Sequence, residues 1–149
     1  MRTKTVSSPF SRAELNSLSN DIRLACMRIS RRVRFESDRE MAPHQFSVLC
    51  RLEETPRTNS ELAEIERVSA PSMKRTTAAL VDGGYVARAD DPTDGRQVIL
   101  SLTPEGQQAL RRVRRHRDEW MISRLHRLTD DERDLLHRAA SVLAKVASE

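Results

Sequence analysis

The sequence predicts a mainly α chain carrying one small β-hairpin, on three observations. Apolar residues recur every three or four positions through both ends of the chain, the spacing of one helix face. Four glycines, Gly83, Gly84, Gly95 and Gly106, are the only ones present and are confined to the middle. Glycine turns the backbone through positive φ without steric cost, so this confinement puts the one non-helical part between two helical blocks. Two short β-branched or apolar runs lie among them, joined by turn-forming residues.

Residues 1–10 are polar and aperiodic, with Ser7, Ser8 and Pro9, and read as a flexible arm. From Ser11, the positions Leu15, Leu18, Ile22, Ala25, Cys26, Ile29 and Val33 form one stripe of a long helix, opposite a face carrying Arg23, Arg28, Arg31, Arg32 and Arg34. Pro43 opens a second helix with Phe46, Leu49, Cys50 and Leu52 on one side, and Pro56 lies just past its end. Thr58 and Glu61 have the spacing of a capping box, which starts a short helix through about Arg67 whose Leu62, Ala63 and Ile65 pack inward. After a turn at Val68, Ser69 caps a helix with Pro71 in its first turn, and this helix runs to Asp82 and stops at Gly83.

Tyr85 to Ala89 and Val98 to Leu102 then read as strands joined by the polar loop 90–97. Thr103 and Pro104 start a long helix holding Leu110, Val113, Trp120, Met121 and Leu125. Thr129 with Glu132 caps the last helix, striped by Leu135, Leu136, Ala139, Val142, Leu143 and Val146. The chain contains no internal repeat.

At 149 residues this is one domain's worth of chain, 38% hydrophobic and 32% charged, with a formal net charge of +4. The basic balance favours a polyanionic partner. Of the 26 basic residues only Lys4, Lys74 and Lys145 are lysines; arginine's planar fork addresses phosphate and guanine edges bidentately. No apolar run approaches a membrane span and no signal-peptide core is present, so a cytoplasmic protein without membrane association is expected. Cys26 and Cys50 sit in apolar-periodic segments and read as buried thiols, Cys26 having Arg23 and Arg28 nearby. His44, His116, His126 and His137 have no ligand spacing, so no metal or other cofactor is expected. Nothing resembles a nucleophile-base pair, a phosphate loop or a carboxylate dyad, so no enzyme is expected.

Two short helices joined by a tight turn and followed by a hairpin make a winged helix-turn-helix, whose second helix, residues 69–82, fits the major groove of duplex DNA. Its first turns offer Ala70, Pro71, Ser72, Lys74, Arg75 and Thr76, while Met73, Thr77 and Leu80 face the core. Ser72 either meets DNA or helps cap the helix, and Lys74 either reads bases or holds phosphate alone. Arg75 is the foremost base reader. At the hairpin tip, Gly95 permits a tight turn and Arg96 extends from it toward a minor groove. Asp94 would repel phosphate unless paired, so it is expected to hold a nearby arginine. The run Arg111 to Arg117 circles most of a helix and is shared between phosphate, solvent and partner faces.

The segments Ala70-Pro71-Ser72-Met73-Lys74-Arg75, Gly83-Gly84-Tyr85-Val86, Asp94-Gly95-Arg96 and Ser101-Leu102-Thr103-Pro104-Glu105-Gly106 together resemble the MarR family. The resemblance implies that Asp94 and Arg96 contribute to DNA binding and that Pro71 to Arg75 enter the major groove. It implies a homodimer with intertwined terminal helices, about 11–37 and 104–149, flanking a winged domain of about 43–103. Two such domains would hold a palindromic operator, most simply as a repressor. The stripes on the first and last helices, too apolar for one small domain to cover, agree with a dimer.

Release by a small aromatic ligand is a further family property, for which Phe46 and Trp120 are candidate walls or core residues. Two other readings stay open: a ligand- or redox-responsive sensor with effector-dependent DNA binding, and a winged-helix module for protein interaction.

Overall fold

Helix starts follow from side chains that take the free N–H groups of a first turn. In the computed structural model, which describes residues 10–37 and 41–148, α1 (Arg12–Glu36) opens on Ser11: Oγ accepts from the Glu14 N–H at 3.3 Å, and the Glu14 carboxylate accepts from the Ser11 N–H at 2.7 Å. Helix α2 (Pro43–Glu54) has proline in its first turn. The expected capping boxes open α3 (Asn59–Glu66) at Thr58 and Glu61 and α6 (Asp130–Ser148) at Thr129 and Glu132. Ser69 caps α4 (Ala70–Asp82) and Thr103 caps α5 (Pro104–Leu125), each side chain accepting from the N–H three residues on.

Strand β1 (Arg57–Thr58) pairs with β3 (Val98–Leu102), which pairs with β2 (Val86–Asp90), all antiparallel in the order β1-β3-β2. Val86 lies opposite Leu102, Asp90 opposite Val98 and Arg57 opposite Leu100. The expected hairpin is thus the larger part of a three-stranded sheet. A two-residue strand is too short for alternation to register in sequence.

The core is built by Val48, Leu49, Leu52, Leu62, Met73, Leu80, Val86, Leu100, Ala109, Leu110 and Val113, with Met41 and Ala63 at its margins. It joins the sheet and α2–α4 to the first half of α5. Helices α1 and α6 contain no buried residue. Two expectations are corrected here. Cys26 is exposed, because the α1 stripe has no core beneath it, and Cys50 on α2 is only half-buried at the edge of the core. Ile65 is 39% exposed, since the eight-residue α3 turns only Leu62 and Ala63 fully inward. The expected arm lies outside the described residues except for Phe10, which is exposed.

Three backbone details set the angles between elements. Arg67 caps the C-terminus of α3 in the left-handed region (φ 53, ψ 46), its N–H reaching the Glu64 carbonyl at 3.2 Å while the Val68 N–H reaches that of Ala63 at 3.0 Å. Gly84 adopts φ 76 after α4. A Cβ on Gly106 would collide with the Tyr85 carbonyl, so α5 starts in direct contact with the end of α4's turn. The Thr103 N–H to Tyr85 carbonyl bond (3.1 Å) and the Thr103 hydroxyl to Gly84 carbonyl bond (2.7 Å) lock that junction. Among the described residues no helix is long and apolar enough to cross a membrane.

Candidate nucleic-acid interface

Helix α4 is amphipathic across its short axis. Met73, Thr77 and Leu80 are buried, as the sequence predicts, and Ala70, Pro71, Ser72, Lys74 and Arg75 are exposed, with Thr76 half-buried. The buried Thr77 hydroxyl donates to Asn59 Oδ1 at 2.7 Å, which satisfies a polar group in the core and ties α4 to the start of α3. Ser72 is committed to the first turn: its N–H donates to Ser69 Oγ at 3.4 Å and its hydroxyl accepts from that of Ser69 at 3.0 Å. Its carbonyl accepts from the Thr76 hydroxyl at 3.2 Å.

The hairpin tip is set by two carboxylates acting on nearby backbone. Asp91 Oδ1 accepts from the Thr93 hydroxyl at 2.6 Å, the Thr93 N–H at 2.8 Å and the Asp94 N–H at 3.3 Å. The Thr93 side-chain bond, then its backbone bond, hold the Asp91 carboxyl below the usual carboxylate range. Asp94 accepts from the Arg96 N–H at 3.1 Å and the Gln97 amide at 3.3 Å. This replaces the expected Asp94–arginine pair: the acid grips the backbone beneath Arg96, two residues away, which is nearer than any guanidinium. Gly95 and Arg96 are exposed at the tip.

A groove of about 680 Å³ runs between the start of α3, α4 and the hairpin, lined by Asn59, Lys74, Arg88, Arg96 and Gln97. Its one acid, Glu61, is occupied by the Thr58 N–H (2.7 Å) and hydroxyl (2.9 Å). Lys74 and Arg96 were expected at the interface. Arg88 and Asn59 were not; for Arg88 the signal is strand period, since two residues beyond the buried Val86 it lies on the face turned toward α4. Arg75 and Thr76 stand apart from this groove. With His44, Val48, Glu66 and Met73 they line a second cavity of about 280 Å³ on the α2 side of α4.

Helix α5 is clasped twice. Arg114 donates two hydrogen bonds to the Glu53 carboxylate of α2, at 2.9 and 2.6 Å, and the Arg117 guanidinium stacks 3.8 Å from the Phe46 ring centre. Farther along, Trp120 Nε1 and Arg124 each donate to Glu36 of α1 at 3.2 Å, and Arg124 lies 3.4 Å over the Trp120 ring. Much of the Arg111 to Arg117 run is therefore spent inside the molecule, with Arg112 also held by Glu105 at 3.0 Å. Phe46 and Trp120 serve as platforms for guanidinium groups.

Comparison with known proteins bears on this geometry. The MarR family model matches residues 41–98, the span from the start of α2 to β3. An HTH-type transcriptional regulator of Mycobacterium leprae is 40% identical over 134 residues, covering 89% of this chain and 94% of that one. The chain belongs to the MarR family. A second such regulator, from Mycobacterium tuberculosis, is 41% identical over the same shares of the two chains. Among solved structures, a putative transcriptional regulator of Pseudomonas aeruginosa superposes with a TM-score of 0.76 at 29% identity, covering 94% of this chain and 99% of its own. The YusO protein of Bacillus subtilis does so at 0.71 and 27%, over 93% and 99%. This MarR-family chain is a DNA-binding transcriptional regulator and not an enzyme.

Proposed function

We propose that the protein is a homodimeric repressor that holds a palindromic operator, with the first turns of two α4 helices in successive major grooves and two hairpin tips in the flanking minor grooves. Polymerase is excluded by occupation of the site. The observation that carries this reading is the set of cations that surround α4 and the hairpin and line the groove between them. Arg51, Arg57, Arg112, Arg114 and Arg124 are ion-paired to Glu66, Glu54, Glu105, Glu53 and Glu36. Lys74, Arg75, Arg88 and Arg96, around α4 and the hairpin, have no carboxylate partner among the described residues. Lys74, Arg88 and Arg96 line one groove, with Arg75 on the other side of α4, and such cations are available to replace the counterions of a phosphate backbone.

An electrophoretic shift with the region upstream of the protein's own coding sequence tests this. Binding should be tighter than to an unrelated duplex and should fall steeply as salt is raised from about 50 to about 200 mM. Equal affinity for the two duplexes removes the operator, and salt-independent binding removes the interface.

The cavity beside α4 favours a second, compatible reading, in which a small aromatic effector releases DNA. Val48, Val68 and Met73 supply an apolar wall, and His44 and Arg75 polar contacts, directly against the helix that enters the groove. Titration of the protein–DNA complex with simple aromatic acids tests it, release being lost in Val68→Trp, which fills the cavity from its exposed side.

A further inference from the structure

We propose that Arg67 is a phosphate-contacting residue of the DNA interface, fixed in the turn that leads into α4; the inference rests on the DNA-binding mode above. The turn itself does not call for arginine. At φ 53 and ψ 46 the backbone is in the left-handed region, which glycine adopts freely and a residue with a Cβ adopts under strain. Closure of α3 is achieved by the N–H groups of Arg67 and Val68, which any residue other than proline supplies. Arginine thus stands where the backbone favours glycine, and what it adds is its side chain.

That side chain does nothing inside the molecule. Arg67 is exposed and makes no ion pair or side-chain hydrogen bond among the described residues. Of the two adjacent acids on α3, Glu66 is already engaged by Arg51 at 3.0 Å and Ser47 at 2.6 Å. Glu64, three residues before Arg67, is not within ion-pair distance of it. Arg67 is also two residues ahead of Ser69, the cap of α4. A helix that enters a major groove by its N-terminus brings the residues just ahead of it to the phosphates at the groove wall. The chain therefore adds one more exposed cation in the turn just ahead of α4.

The test uses Arg67→Gly, Arg67→Asn and Arg67→Lys in the full chain. Glycine and asparagine both suit the left-handed turn, so thermal unfolding should match the parent protein and any loss of binding is read on folded material. Salt titrations are run on two duplexes of roughly 30 base pairs, one from the upstream region and one unrelated, each long enough for half-sites about a turn apart. A phosphate contact predicts weaker binding of both duplexes by both neutral variants. It also predicts a log–log salt slope shallower by about 0.9 per protomer, so that the deficit shrinks about threefold per protomer between about 50 and about 200 mM salt. Arg67→Lys should retain the parent slope, because the slope counts charges.

Parent affinity and slope in Arg67→Gly and Arg67→Asn overturn the proposal. A deficit on the upstream duplex with none on the unrelated one also overturns it, by making Arg67 a base contact. If the parent protein itself binds neither duplex, the binding mode beneath the proposal falls with it, which the parent titration alone reveals.

Discussion

Arg96 owes its place to an acid that would otherwise oppose DNA. Because Asp94 accepts from the Arg96 N–H and the Gln97 amide, its charge is partly neutralised by local dipoles and its geometry aims the residue beside it. Arg96→Ala should weaken operator binding by tenfold or more in a shift assay, about 1.4 kcal/mol or above; an effect within twofold would remove the hairpin from the interface. Asp94→Asn keeps an acceptor for the Arg96 N–H and should bind within about threefold of the parent, whereas Asp94→Ala should approach Arg96→Ala. Arg75 is assigned a different role. If it reads a guanine, Arg75→Ala loses about 1 to 3 kcal/mol of discrimination at one base pair, seen as relaxed preference in a panel of single-substitution operators. Thr77 belongs to the fold rather than the groove: at 3% exposure with its hydroxyl on Asn59, Thr77→Val removes that tie between α4 and α3 and should cost about 1 kcal/mol in urea unfolding.

Helix α5 is the element through which the winged part and the rest of the chain are joined, and its clasps are electrostatic. Glu53 is held below the usual carboxylate range chiefly by the side-chain hydrogen bond from Arg114. Glu36 is lowered likewise, first by its hydrogen bond to Arg32. A carboxyl depressed in the folded state adds stability above its unfolded value of 4.5, and loses it as pH falls through the lower folded value. Glu53→Gln should therefore lower the urea midpoint at about pH 7 and lose that difference as pH falls through the lowered folded value, the parent falling toward the variant; both groups are exposed, so the effect is small. How far such elements are legible in sequence depends on how local their cause is. Thr58 with Glu61, Ser69 with Pro71 and Thr103 with Pro104 act within four residues, and the helices they start appear where they predict. Lys74, Arg75 and Arg96 are legible as exposed cations for the same reason. Glu53 on Arg114 and Glu36 on Trp120 span 61 and 84 residues, and no local pattern announces which arginines of a dense run will be taken. Arg67 in the left-handed region misleads in the same way, because glycine is the expected residue there and its absence hides the turn's geometry.

At the scale of the whole molecule, the apolar surface is in the wrong place for a monomer. Leu15, Leu18, Ile22, Ile29 and Phe35 on α1 are 46, 43, 37, 44 and 62% exposed, and Leu135, Val142 and Val146 on α6 are 59, 59 and 70% exposed. Apolar stripes on two long helices are costly to leave in water, and in the proposed homodimer a second copy of the same stripes would cover them by two-fold symmetry. The proposed arrangement would also set DNA affinity, because linked half-site readers bind their second site at high effective concentration. Charges on this face, as in Leu135→Glu with Val142→Glu, should leave the core between α2 and α5 intact, since neither residue is buried. Sedimentation should then report a monomer of about 17.0 kDa in place of a dimer. Operator affinity should fall at least a hundredfold, and the salt slope should halve, because one protomer carries half the phosphate contacts. A variant that is monomeric yet keeps the parent affinity and slope would mean that a single winged unit reads the operator, and the two-fold clamp would have to be abandoned.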